Sequence, residues 1–259
     1  MRSVYRHARL AMLACFVALT PRSAIGAQDA TAVIQLAEHD RATLNPAGAL
    51  ARYEAALSAT ATSYDLLWRA AREAVDLGES ATDATKRTEY YHKAEAYARR
   101  AVTANANGAD GHFILAVALG RTAMTLGPRD RVRYAAEIRS ASLAAVKIEP
   151  MHAGALHVLG VWNAEIMRLN SFSRFAARNF LGGKVFEQAS WAEATRYMEA
   201  AVAADPGRIT HRLDLAKVYS ETAQKSKARG ACEAAARMPS VEYNDARYKR
   251  ECEALLAKL

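Results

Sequence analysis

Small and bulky apolar positions are set among polar ones in a figure that returns along the chain. In WAEATRYMEAAVAADPGR, residues 191–208, Ala194, Ala201 and Ala204 stand between the larger Tyr197, Met198 and Val202, and the run stops at Asp205, Pro206 and Gly207. Spacings of three, four and seven put such positions on one helical face, and proline followed by glycine ends a helix. The figure repeats as Ala94, Ala101 and Ala106, as Ile138, Ala145 and Pro150, and as Ala228 and Ala235 with Pro239 nearby. A few residues past the proline position comes a second one: Leu115, Ala116 and Leu119, then Leu156, Leu159 and Gly160, then Leu215, Ala216 and Tyr219. Small residues at helical spacing let two antiparallel helices approach closely, while their larger neighbours fill the groove between them. The pattern predicts helical hairpins in tandem, with Glu149-Pro150 and Asp205-Pro206 turning the chain from one hairpin into the next.

The interval from Ala201 to Ala235 is 34 residues, whereas Ala56 to Ala101, Ala101 to Ala145 and Ala145 to Ala201 are 45, 44 and 56. The first is the period of the tetratricopeptide repeat, which the chain resembles; the others imply insertions. SYDLLWRAAREAVDLG, residues 63–78, opens the first full hairpin, and ESATDATKRTE is expected as its long turn. A last helix near 243–258 would cap the stack, as solenoid ends require. In order, DLLWRAAREAVDLGE, AEAYARRAV, ALHVLGVWNAEI, RFAARNFLGGKVFEQASWAEATRYMEAAVAADPG and LAKVY resemble the regulator of microtubule dynamics family over about residues 60–238. That resemblance implies an all-α, tetratricopeptide-like hairpin solenoid with long insertions and a C-terminal capping helix. It also admits a secreted bacterial relative of a family named for its animal members. The expected organisation is a leader at 1–27, N-terminal helices at 28–62, repeats at 63–240 with an insertion at 170–190, and a cap at 241–259.

The leader rests on its order of basic, apolar and small residues: Arg2, Arg6 and Arg9, an apolar run from Leu10 to Leu19, then Ala24 to Ala27. The run is too short to span a bilayer. Cleavage near Ala27 would place the mature chain beyond the inner membrane, in the periplasm, with no transmembrane helix. It also changes the charge. The leader holds four arginines and no acid, so the net charge of +8 falls to about +4. A balance so mild, with no concentrated basic face, argues against a nucleic-acid partner.

No catalytic residue or cofactor is indicated. GxSxG is absent, and Lys184 is followed by Val185, so Gly182-Gly183-Lys184 is not a phosphate-binding loop. His39, His92, His112, His152, His157 and His211 are scattered without ligand spacing, which argues against a metal site; His112 and His211 are expected near surface or groove positions. Glu73, Asp76, Glu193 and Glu199 read as solvated faces paired with bases at helical spacing. What remains is binding. A stack of hairpins presents a concave surface lined by its first helices. By helix position, Trp68, Arg72, His112, Arg121, Trp162, Arg168, Arg212 and Tyr219 are candidates to line it for a protein or peptide partner. Arginine with aromatics suits carboxylate-bearing partners. The alternative is a lipid or apolar small molecule in an enclosed cavity at the insertion, where Phe172, Phe175 and Phe180 would meet the tail and Arg174, Arg178 and Lys184 the head group. The same insertion read plainly is an amphipathic cover for its own hairpin.

Cys232 and Cys252 remain once the leader with Cys15 is gone, and both lie ten residues from Glu242 in the turn between two helices. In an antiparallel hairpin equal distances bring them to similar height, so one disulfide is expected in an oxidising compartment. Two buried thiols packing as small apolar groups are the alternative.

Overall fold

The alanine spacings become the seams of antiparallel helix pairs. In the computed structural model, residues 22–180 and 183–259 are described, apart from the side chains of residues 22–29, 178 and 180. Most of the expected leader lies outside the described residues, as do the placement of Gly182 and the side chains of Arg178 and Phe180. Helices α1 (Arg22–Ala42) and α2 (Pro46–Ala59) form the first pair, α3 (Tyr64–Ser80) and α4 (Ala84–Ala104) the second, α5 (Ala109–Ala123) and α6 (Pro128–Ile148) the third. The fourth joins α7 (Ala153–Arg168) to α9 (Trp191–Ala204) across an insertion made of α8 (Ser171–Phe180) and a 3₁₀ turn, Lys184–Gln188. The fifth is α10 (Ile209–Glu221) with α11 (Lys225–Arg237), and α12 (Asp245–Leu256) covers the end. Among the described residues there is no strand, and no helix is long and apolar enough to cross a membrane.

In the second to fifth pairs, the second helix buries the small residue seven positions after the first: Ala101, Ala145, Ala201 and Ala235 are fully buried. Three of these also end their helix, accepting from the backbone N–H groups of Asn105, Glu149 and Asp205 at 2.8–3.0 Å. On the first helices, Gly160 of α7 shows how close the seam is. A β-carbon there would stand 2.7 Å from Cγ of Met198, itself buried on α9. Gly160→Ala gains helix propensity of about 0.5–1 kcal/mol but overpacks the seam at about 1–3 kcal/mol. A net loss of about 1 kcal/mol is expected in urea unfolding, reversed in a Met198→Ala background where the side chain has room.

One expected turn is much shorter than the sequence suggests. ESATDATKRTE is not a long loop; α3 runs through Ser80 and α4 begins at Ala84. Asp83 makes this possible, since its side chain accepts from the Lys86 backbone N–H at 2.8 Å, and Arg87 donates to the Ala81 carbonyl at 2.8 Å. At the α10–α11 turn Ala223 is held at φ 61°, while Gln224 N–H donates to the Tyr219 carbonyl at 2.8 Å. Left-handed backbone costs a residue with a β-carbon about 1–2 kcal/mol. Ala223→Gly is therefore expected to raise stability by about 1 kcal/mol in the same assay.

Successive first helices lie side by side, α3 on α5, α5 on α7, α7 on α10 and α10 on α12; in stacks of helical hairpins this layer lines the concave side. The apolar interior is divided. One cluster spans α1 to α7 together with Ala177 and Phe186 of the insertion. A second joins α7, α9, α10 and α11, and a third joins α10, α11 and α12.

Candidate functional site

Of the eight residues expected to line the concavity, Trp68 and Arg72 meet, and the others have partners elsewhere. Trp162 is buried, donates to the Ala135 carbonyl of α6 at 2.7 Å, and meets Phe186 edge-on at 6.4 Å. Tyr219 reaches outward to α9, donating to Glu199 at 2.6 Å. Arg168 forks onto Glu221 at 2.7 and 2.8 Å, Arg212 donates to the Pro206 carbonyl at 3.1 Å, and His112 pairs with the Ala106 carbonyl at 2.8 Å. Trp68 lies under the guanidiniums of Arg69 and Arg72, both of which pair with Glu38 of α1. Of the eight, Arg72 and Arg121 enter the polar network described next.

That network starts on α3. Glu73, Asp76 and Glu79 follow one another at three-residue intervals on a helix whose Ala70, Ala74 and Gly78 are buried. The reading of Glu73 and Asp76 as a solvated face fails for Glu73, which has 0% exposure. Arg41, from the last turn of α1, donates Nη1 to both Glu73 oxygens at 3.0 Å and to Asp76 at 2.8 Å. Arg72 adds a second donor to Glu73 at 2.8 Å. Burial pushes the Glu73 and Asp76 carboxyls above their ordinary range, and the arginine charges only partly offset it.

The C-terminal segment completes the network from the other end of the chain. Glu242 pairs with Arg41 and with Arg208 at the start of α10. Asn244 donates its side-chain N–H to the Asp76 carbonyl at 3.4 Å. Glu79 receives Arg121 of α5, Arg247 of α12 at 2.5 Å and the Tyr248 hydroxyl at 2.6 Å. Burial, then the Glu79 charge, pushes that hydroxyl up. Asp245 shapes the entry to α12 by accepting from the backbone N–H groups of Val241 and Glu242 at 2.9 and 2.8 Å. Further along the concave layer, Glu251 pairs with Lys217, Lys217 with Asp214, and Asp214 with His157 of α7, at 3.0, 3.0 and 2.9 Å. Burial would raise the Asp214 carboxyl, but the His157 hydrogen bond and the Lys217 charge hold it well below the usual range.

His211, expected near the surface, is 3% exposed. It stacks on His157 with ring centroids 4.6 Å apart, and burial, with His157 and Arg208 nearby, pushes it down to about 2, so it stays neutral. Apart from Asp245, which accepts from backbone groups, every carboxylate of the network accepts from at least one cation. Among the described residues no group of His, Cys, Asp or Glu could hold a metal ion.

The insertion divides in two. Phe186 and Ala177 are buried in the main cluster, and Ser190 N–H donates to the buried Asn163 side chain at 3.1 Å. Phe172, at 79% exposure, and Lys184 face solvent. Arg174 and Phe175 line a depression of about 400 Å³ with Met167, Phe186 and Glu187. Cys232 and Cys252 are free thiols, both fully buried, with Cys252 hydrogen-bonded to Cys232.

Hairpins stacked in this order define a tetratricopeptide-type repeat protein. The crystal structure of TTC0263, a thermophilic TPR protein of Thermus thermophilus, superposes with a TM-score of 0.64 over 88% of this chain and 98% of that one, at 17% identity. The chain belongs to the family described as Regulator of microtubule dynamics protein 1-3, whose model matches residues 33–259. It is similar to Regulator of microtubule dynamics protein 1 of Bos taurus, 25% identical over 169 residues, which are 63% of this chain and 52% of that protein. The Mus musculus protein of that name is 24% identical over 166 residues, 63% and 54% of the two chains. The chain thus spans about half the length of the curated relatives it matches.

Proposed function

We propose that the protein is a non-enzymatic binding scaffold that takes a protein or peptide segment on its concave face, and that it works in the periplasm after export by the leader at 1–27. One observation carries the binding reading. Side chains from α1, α3 and α10 already grip a segment of the same chain, residues 242–251, through directed ion pairs and hydrogen bonds. A surface assembled from several repeats is what a linear partner needs. The residues favoured for this role are therefore Arg41, Arg208 and Lys217, with Arg121 held on Glu79 beside them and Trp68 and Arg72 at the α1 side.

Panning a displayed peptide library on the purified mature chain, followed by photo-crosslinking of the winners, tests this reading. Crosslinks on α3, α5, α7 and α10 support it; crosslinks confined to the second helices, or no enrichment, count against it. Fractionation of the native host tests the location, with a mature N-terminus near Ala27 in the periplasm as the expected result and an uncleaved cytoplasmic chain as the contrary one. A second reading, an apolar ligand at the insertion, is favoured by the depression beside Arg174 and Phe175 and by exposed Phe172. Native mass spectrometry decides it by the presence or absence of lipid-sized extra mass that denaturation removes.

A further inference from the structure

We infer that Arg41 and Arg208 form a carboxylate-binding site that Glu242 fills from within the chain, and that an acidic peptide segment of a partner takes in its place. The inference rests on the concave-face reading and says what chemistry that face selects. The two guanidiniums come from far apart in sequence, one from α1 and one from the start of α10, and meet on a single side chain. Apart from Glu242, the carboxylate nearest Arg208 is Asp205 at 4.0 Å. Removing the Glu242 carboxylate would leave Arg208 poorly neutralised, a vacancy that another carboxylate fits.

The way the occupant is held makes it exchangeable. Among the described residues, the segment 241–248 is tied to the first half of the molecule by Glu242 on Arg41, Asn244 on the Asp76 backbone, and Arg247 and Tyr248 on Glu79. The apolar contacts of the segment and of α12, made by Cys252, Tyr248, Leu255 and Leu256, all go to the cluster shared with α10 and α11. Lifting Glu242 away therefore opens no apolar core. Its side chain keeps 25% exposure, so the site is reachable from solvent. The neighbouring Val241 and Tyr243 face outward as exposed apolar residues. A glutamate between apolar neighbours, laid across two arginines, is bound here as a docked peptide would be. A partner segment with an acidic residue in such a setting has the matching chemistry.

The probe is a labelled synthetic peptide of residues 239–248, PSVEYNDARY, titrated by fluorescence anisotropy into the full chain. Glu242→Gln, which keeps the shape and removes the charge, is expected to bind it at least about tenfold more tightly than the unaltered chain. Gln in place of the peptide's own Glu, or Arg208→Ala added to Glu242→Gln, is expected to abolish that gain. Equal affinity for both chains, or binding indifferent to the peptide's carboxylate, overturns the inference. If Glu242→Gln does not fold, the unaltered chain serves. Saturating peptide is then expected to speed amide exchange at 241–248, and unchanged exchange overturns the inference as well. The two levels separate cleanly. Library peptides captured on the concave face without regard to acidity leave the scaffold standing and remove the carboxylate site, whereas no capture at all removes the scaffold.

Discussion

Arg41→Ala is expected to lower the stability of the fold by about 3 kcal/mol at neutral pH, read from the urea midpoint by circular dichroism. Removing one partner of a buried ion pair leaves the other charged and desolvated, which costs about 3–5 kcal/mol. Here Glu73 keeps Arg72, which places the loss at the lower end, while Asp76 loses its cation. The pH dependence identifies the cause. Burial raises the folded-state values of Glu73 and Asp76, so each favours the fold when protonated, and that contribution is lost as pH rises. Without Arg41 the rise is larger, and the deficit against the unaltered chain should shrink as pH is brought from about 7 towards about 5. Asp214 does not confuse this window, because its lowered value costs stability only as pH falls below the ordinary aspartate range. A deficit that stays constant with pH would assign the effect to lost packing of the arginine stem instead.

Oxidation of Cys232 and Cys252 is the second large effect expected. The thiols are buried on facing helices, and Cys252 donates to Cys232, which lowers the Cys232 thiol and raises that of Cys252. A bond between them would close a loop of 20 residues and add about 3 kcal/mol by restricting the unfolded chain. Protein purified from its native compartment under non-reducing conditions should weigh two mass units less than after reduction, and its urea midpoint should fall on adding reductant. An unchanged mass would leave the pair as packed thiols and weaken the periplasmic assignment with it. The bond joins α11 to α12, the same cap whose inner edge carries Glu242. It would hold the helix in place while leaving the segment before it free to lift.

The hairpins are legible in the sequence because their physics is local. Ala94 and Ala101, Ala194 and Ala201, Ala228 and Ala235 mark the seams by spacing alone, and all six are fully buried. The turn after α3 is hidden because Ser, Thr and Asp in ESATDATKRTE are common in loops, while one of them, Asp83, acts as a helix cap. The concave network cannot be seen by spacing at all. Glu73 and Asp76 look like acids paired at i,i+4, yet their cation Arg41 is 32 and 35 residues away, and Glu242 is 201 residues from Arg41. A partial signal is present on α3, where Glu73 sits between positions buried on the same face, Ala70 and Ala74. Trp162 and Tyr219 sit on helices that line the concavity, but on a helix of about 3.6 residues per turn the face, not the helix, decides where a side chain goes.

A stack of repeats ordinarily gains its stability from neighbours alone, and either end can fray without the other noticing. Here the last turn before α12 is tied to the last turn of α1. Opening the first hairpin therefore frees the segment that leads into the final helix, and the two ends of the stack should melt more nearly together than those of five separate hairpins would. The tie also carries a kinetic consequence. Contacts between residues so distant in sequence form late and slow the approach to the native state. As the chain emerges from N- to C-terminus, its first helices hold Arg41 against Glu73 and must wait for residue 242 to arrive before the cluster is complete.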